Sequence, residues 1–216
     1  MTLRLVLAVS LDGRLAPPSG GAAQLGGDGD RQLLEEALAW ADLALVGAGT
    51  VRAHRSSCLI QRPELLEQRR SQGLAPQPPL LVASRQSSPV GFDPDWLLWR
   101  QPLQLWWLSS APLAAAAPPG FDRQLPLGSW QGLLSQLKAE GFQRLLLLGG
   151  SQLAGVLLED DLVDELQLTL CPLLLGGEHC WLPSLARPHS DRWQLQEQRP
   201  LGSGEVLLRY RRKGNS

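Results

Sequence analysis

Leu43-Ala44-Leu45-Val46-Gly47-Ala48-Gly49-Thr50 is the stretch whose reading decides the fold. Its opening apolar run is too short for a helix and reads as a strand buried on both faces, as in a parallel sheet flanked by helices. Gly47 and Gly49 stop that strand before a brief helical turn. Such a junction is where an α/β sheet receives a ligand, because glycine lets an anion approach the backbone and the helix start offers free N–H groups. The pattern recurs at Arg144–Leu148, an apolar strand running into Gly149-Gly150-Ser151 ahead of a helix from about Gln152 to Glu159. Two such junctions suffice for a pyrophosphate, although each glycine pair also fits a plain turn. The usual GxGxxG fingerprint is absent.

Outward from these junctions the elements alternate. Residues 3–9 form an apolar strand, Leu11-Asp12-Gly13-Arg14 turns the chain, and a Gly- and Pro-rich loop ends at Asp28 and Asp30. Either aspartate suits the cap of a helix reaching about Trp40, with Leu33, Leu34, Ala37, Leu38 and Ala41 on one face. Residues 55–78 carry mixed charge and read as irregular or partly helical and exposed. Strands are expected at 80–83 and 103–108, between Pro-rich loops, and Ser129 caps a helix with Leu133, Leu134 and Leu137 inward, closed by Gly141. Residues 166–170 read as a strand with one polar face, and Trp193–Gln198 and Glu205–Arg211 as a hairpin around Gly202-Ser203-Gly204. The expectation is a single α/β domain over residues 1–216, with a mixed sheet that is parallel in the middle, an antiparallel C-terminal hairpin and helices on both faces.

Composition narrows the function. A formal net charge of -1, with 20 basic residues spread along the chain, lacks the basic stripe of a nucleic-acid binder. Cys58, Cys171 and Cys180 form neither a disulfide framework nor a CxxC pair and read as reduced thiols packed as small apolar groups. His54, His179 and His189 have no second ligand at metal spacing, so no metal is expected. The apolar N-terminus meets Asp12 before reaching signal-peptide length, and no run approaches a membrane span, so a cytoplasmic protein with no membrane partner is expected. Ser84-Arg85, just past a strand, suits either the 2′-phosphate of NADPH or an exposed loop. Trp106 and Trp107, with Trp96 and Trp99 before them, read as core. Asp12 fits a substrate amine, a proton donor or a turn before Gly13.

Four blocks together resemble the reductase domain of the bacterial bifunctional riboflavin-biosynthesis deaminase/reductase, a family with the dihydrofolate-reductase-like fold. They are Ser10–Arg14, Ala41–Ala53, Gly149–Gly155, and Leu162–Leu166 followed by Pro172–Gly176. The resemblance implies NADPH lying along the carboxyl ends of the strands, against Val9, Gly47, Thr50, Ser84, Arg85, Gly149, Gly150, Ser151, Gln152 and Leu153. It also implies reduction of the ribosyl group of 5-amino-6-(5-phosphoribosylamino)uracil to ribityl, a phosphorylated heterocycle as substrate, contacts from Asp12 and Arg62, and a homodimer. No zinc-deaminase signature accompanies these blocks, so a reductase without the deaminase half is expected.

The substrate side departs from the family pattern. Its first-strand lysine falls at Val6, its helix arginine at Leu38 and the glutamate before the Gly-Gly at Leu148. His54 and Arg55 replace an acidic pair, and a Ser-x-Trp aligns with Ala22 to Gln24. Two alternatives therefore stand beside the riboflavin-type reductase: a non-catalytic nucleotide-binding relative, and a reductase of another small heterocycle such as a pteridine. No proton donor is assigned by the sequence.

Overall fold

The computed structural model describes residues 1–21, 23, 25–184, 186–188 and 193–213. Nine strands occur among the described residues, and the chain divides into two compact units, residues 35–146 with Met1, and residues 2–34 with 147–216.

In the first unit the order is β5-β4-β3-β2-β6, built from β2 (Leu43–Gly47), β3 (Leu80–Ser84), β4 (Leu105–Ser109), β5 (Arg123–Pro126) and β6 (Arg144–Leu147). The pairs β2–β3, β3–β4 and β4–β5 are parallel, and their apolar residues are buried as the unbroken runs require. Trp106 and Trp107 are core residues as expected, whereas Trp96 and Trp99 are half-buried; Phe92 meets Trp96, Trp99 and Trp107 at tilted or edge-on angles with ring centroids 5.0 to 6.1 Å apart. Ser129 caps α4 (Trp130–Ala139), its hydroxyl accepting the Gly132 N–H, and Leu133, Leu134 and Leu137 are buried.

The segment 55–78 contains α3 (Pro63–Ser71) and is not wholly exposed. Arg69 is only 1% exposed. Its Nη1 donates to the carbonyls of Leu38, Ala39 and Ala41, and its Nε to that of Ala75. The guanidinium thus satisfies the end of the helix that finishes at Trp40, where carbonyls lack intrahelical partners. Asp42 fixes the start of β6 by accepting the Arg144 and Gln143 N–H groups and pairing with the Arg144 guanidinium at 2.6 Å.

In the second unit the order is β1-β7-β9-β8, from β1 (Thr2–Ser10), β7 (Glu165–Cys171), β9 (Glu205–Arg212) and β8 (Trp193–Gly202). β1 and β7 are parallel, while β9 runs antiparallel to β7 and β8. At their amino ends Glu165 joins Arg4 (2.8 Å) and Arg211 (2.7 Å), and Asp164 accepts the Leu3 N–H. The polar face of β7 is buried, contrary to the usual polar-out pattern: Gln167 and Thr169 are covered, while Leu168 and Leu170 are half-buried. Asp30, in the first turn of α1 (Asp28–Trp40), lies beside Thr169, so a helix lies where water was expected. Both Asp28 and Asp30 are inside the helix, and the N–H of Gly27 just before it is bound by Glu205 of β9. Among the described residues no helix is long and apolar enough to cross a membrane.

Candidate functional site

The carboxyl end of β1 leads into a turn built around Asp12. The Ser10 hydroxyl donates to Oδ1 of Asp12 at 2.6 Å, and the N–H groups of Leu175 and Gly176 donate to the carboxylate at 3.1 and 2.8 Å. Arg14 stands 3.6 Å from Oδ2. The Ser10 hydrogen bond first, and the two backbone donors with it, hold this carboxyl well below the usual aspartate range. Asp12 therefore keeps no proton to give at neutral pH. It ties the turn after β1 to the loop after β7, and the Leu11 N–H reinforces the tie by donating to the Leu173 carbonyl.

In the same unit Gly149 and Gly150 precede α5 (Ser151–Glu159), with φ of 71° and 88°. A Cβ at Gly149 would lie 2.8 Å from Cδ2 of Leu7, so backbone angle and space both require glycine there. Gly150 caps the helix without a side chain, leaving the first N–H groups, on Ser151, Gln152 and Leu153, without intrahelical acceptors. These donors, the glycine backbone and the helix dipole fit a phosphate of a dinucleotide. Val9 is buried in β1 and pairs with Leu170.

In the first unit, Gly47 caps α2 (Ala48–His54), again without a side-chain bond. Gly49 is exposed, with open space where a Cβ would point, and Thr50 is half-buried. Gly47 pairs with Ala83, so Gly47 and Ser84 finish neighbouring parallel strands. Ser84 accepts the Gln86 N–H at 3.0 Å. Arg85 is exposed and has no ion pair among the described residues, which leaves its guanidinium available to an anion.

Arg62 has a different setting. Its guanidinium lies 3.3 Å from Glu36, 3.8 Å from Glu64 and 3.9 Å from Glu35, so a substrate phosphate there would compete with three carboxylates. Leu38 (2% exposed) and Val6 (8%) belong to the core, and Leu148 is half-buried just past β6. His54 and Arg55 are exposed, and Arg55 ends α2 with a left-handed φ of 58°. Ala22, Gln24 and His189 lie outside the described residues. Of the thiols, Cys171 is buried and fits the small apolar role, Cys180 is half-buried, and Cys58 is exposed and does not fit it, since an exposed thiol packs into no core. No group of three or more metal-ligating side chains occurs among the described residues.

Sequence reasoning read Asp30 only as a helix cap. The signal it passed over is the spacing of glycines in Gly26-Gly27-Asp28-Gly29-Asp30: a Cβ at Gly26 would overlap the Asp30 carboxyl, and one at Gly29 would lie 2.6 Å from the Leu201 carbonyl oxygen.

Comparison with known proteins places the chain in a family. Residues 1–207 match the RibD C-terminal domain, and the chain belongs to that family. The riboflavin biosynthesis protein RibD of Haemophilus influenzae is 30% identical over 98% of this chain and 59% of its own length, so the chain spans about three-fifths of that relative. The 2,5-diamino-6-ribosylamino-4(3H)-pyrimidinone 5′-phosphate reductase of Archaeoglobus fulgidus is 29% identical, covering 79% of this chain and 80% of the relative. RibD of Acinetobacter baumannii superposes with a TM-score of 0.77 at 22% identity, over 98% of this chain and 58% of that one. Dihydrofolate reductase from Enterococcus faecalis superposes with a TM-score of 0.53 at 14% identity, over 99% and 97%, which marks the fold as dihydrofolate-reductase-like.

Proposed function

We propose that this chain is an NADPH-dependent oxidoreductase that reduces the ribosyl group of 5-amino-6-(5-phosphoribosylamino)uracil to ribityl. The observation that carries the reading is the left-handed Gly149-Gly150 pair opening α5, whose orphan N–H groups suit a pyrophosphate. Family membership over residues 1–207, and a relative named for reducing a ribosylaminopyrimidinone 5′-phosphate, support the substrate class. Gly149 to Leu153, Val9, Gly47 and Thr50 would line the cofactor, with Ser84 and Arg85 on its 2′-phosphate. When bound, NADPH supplies the hydride, and the chain's own task is to hold donor and acceptor in line and to exclude water. Asp12 serves by fixing the loops after β1 and β7, and Arg62 by shaping the segment before α3.

Discrimination between cofactors tests the reading. A charge-assisted contact to the 2′-phosphate is worth about 1.5–3 kcal/mol, so NADPH should bind tenfold or more tighter than NADH, and Arg85→Ala should erase most of that preference. Equal dissociation constants in a fluorescence titration contradict it. A second reading, a nucleotide-binding relative without turnover, is favoured by the core burial of Leu38 and Val6. It is distinguished by NADPH binding with no oxidation.

A second copy of the chain, in the cytoplasm, is the proposed partner. Leu195 is 45% exposed, and Leu168, Leu170, Val206 and Leu208 are half-buried, apolar side chains of the late strands that a second copy would cover. Light scattering at micromolar concentration should give a dimer mass.

A further inference from the structure

Trp107 lies at the centre of β4 and is fully buried, yet its indole N–H reaches out of the core and donates to the Gln86 carbonyl at 3.2 Å, one residue past Arg85. A buried indole donor needs an acceptor, and this one belongs to the exposed segment that follows β3. The residue before Arg85 is tied as well. The Ser84 carbonyl accepts the Ser110 N–H at 3.3 Å, and the Ser84 hydroxyl accepts the Gln86 N–H at 3.0 Å. Arg85 thus carries an exposed side chain on a backbone held on both sides by β4 and the residue just past it.

The far end of the segment meets the same indole. Phe92 stands edge-on to Trp107 with centroids 5.8 Å apart, and it packs against Trp96, Trp99 and Phe121 at 5.0 to 6.5 Å. On the outer side Arg52 of α2 donates to the Val90 carbonyl at 3.3 Å, and its guanidinium carbon lies 5.8 Å from the Phe92 centroid, within cation–π range. Residues 86–92 are therefore a strap fastened at Gln86 and Phe92 by one buried tryptophan and at Val90 by α2.

We propose that Trp107 is a positioning residue for Arg85, with Arg52 as the outer clip of the strap, and that together they set the preference for a 2′-phosphorylated dinucleotide; this rests on the reading of Arg85 above. A guanidinium meets a phosphate as a planar fork, and such a geometry is kept to within about 0.5 Å by the residues that support it. Holding the backbone of Arg85 in advance also lowers the entropy lost when its long side chain is immobilised on the ligand. Neither Trp107 nor Arg52 is assigned a contact with the cofactor, so both act through Arg85.

The test measures dissociation constants for NADPH and NADH in the wild type, Trp107→Phe, Arg52→Lys, Arg85→Ala and the double variants of each with Arg85→Ala. Trp107→Phe keeps a ring in the core, changes no charge and leaves the exposed Gln86 carbonyl to water. It should weaken NADPH by about three- to tenfold with NADH within about twofold of the wild type, and should change neither once Arg85 is alanine. Arg52→Lys, which keeps the charge but loses the planar group over Phe92, should act in the same direction by about two- to threefold. A purely structural role for the tryptophan would weaken both cofactors alike. An unchanged NADPH-to-NADH ratio in Trp107→Phe, or an equal loss of NADPH affinity in the Arg85→Ala background, overturns the positioning role and leaves the Arg85 reading standing. An Arg85→Ala protein with the wild-type ratio overturns that reading and the positioning role with it. Should Trp107→Phe fail to fold, Arg52→Lys and its double variant decide by the same criteria.

Discussion

Asp12 and Asp30 both follow the first strand, yet their surroundings drive them apart. Asp12 sits in a turn where a hydroxyl and two backbone N–H groups point at it. Asp30 sits in the first turn of α1, beside another acid and with no cation paired to it among the described residues. One carboxyl is an anion that organises loops, and the other, by burial, holds its proton more tightly than an ordinary aspartate. The lesson is that a carboxyl's role follows from the donors aimed at it rather than from its closeness to a motif.

Removing the Asp12 carboxylate should have the largest effect on this contrast. Asp12→Ala deprives the Leu175 and Gly176 N–H groups of their acceptor, and their protection from hydrogen exchange should fall by on the order of tenfold or more, with β1 and β7 little changed. Unaltered protection at both amides would show that the turn holds without its anion.

Stability against pH should separate the two aspartates by sign. Asp12 is lowered in the folded state, so its contribution is present above the unfolded value of about 3.9 and is lost as pH falls through the lower folded value. Asp30 is raised, so its contribution is fully present below about pH 3.9 and is lost as pH rises through the folded value. Asp30→Asn should therefore gain on the wild type as pH increases, by on the order of a few degrees in Tm at pH 8, and lose that advantage near pH 4. A Tm difference that does not change with pH would mean that Asp30 is an ordinary surface acid.

A smaller effect is expected at the thiol beside Asp30. Cys171, buried and with its pKa raised to about 11, should resist a maleimide in the native protein at pH 7, while exposed Cys58 reacts. Equal labelling of the two would contradict the sealed polar face of β7.

The fold was largely legible because strands such as Leu43–Gly47 and Arg144–Leu147 are continuous apolar runs stopped by glycine, a signal local to the sequence. β5 escaped notice: Arg-Gln-Leu-Pro carries no apolar run, and it is tolerated at the edge of the first unit because an edge strand needs partners on one side only. Arg69 read as surface charge because the carbonyls that bury it, at Leu38, Ala39 and Ala41, come from the end of another helix and the residue just past it. The glycine junctions were visible for the same reason as the strands. Asp30 was not, since an aspartate at a helix start looks like a cap, and its neighbour Glu205 is brought to it only by the folding of the C-terminal hairpin.

The central claim, a reductase using a phosphorylated dinucleotide, is tested most directly by following NADPH absorbance with the purified chain and 5-amino-6-(5-phosphoribosylamino)uracil, with Gly150→Val as control. The expected result is oxidation on the order of 1 per second or faster, abolished in a folded Gly150→Val protein that no longer binds NADPH. A folded wild type that leaves NADPH unbound at millimolar concentration, or a Gly150→Val protein that binds it as well as the wild type, would contradict the account.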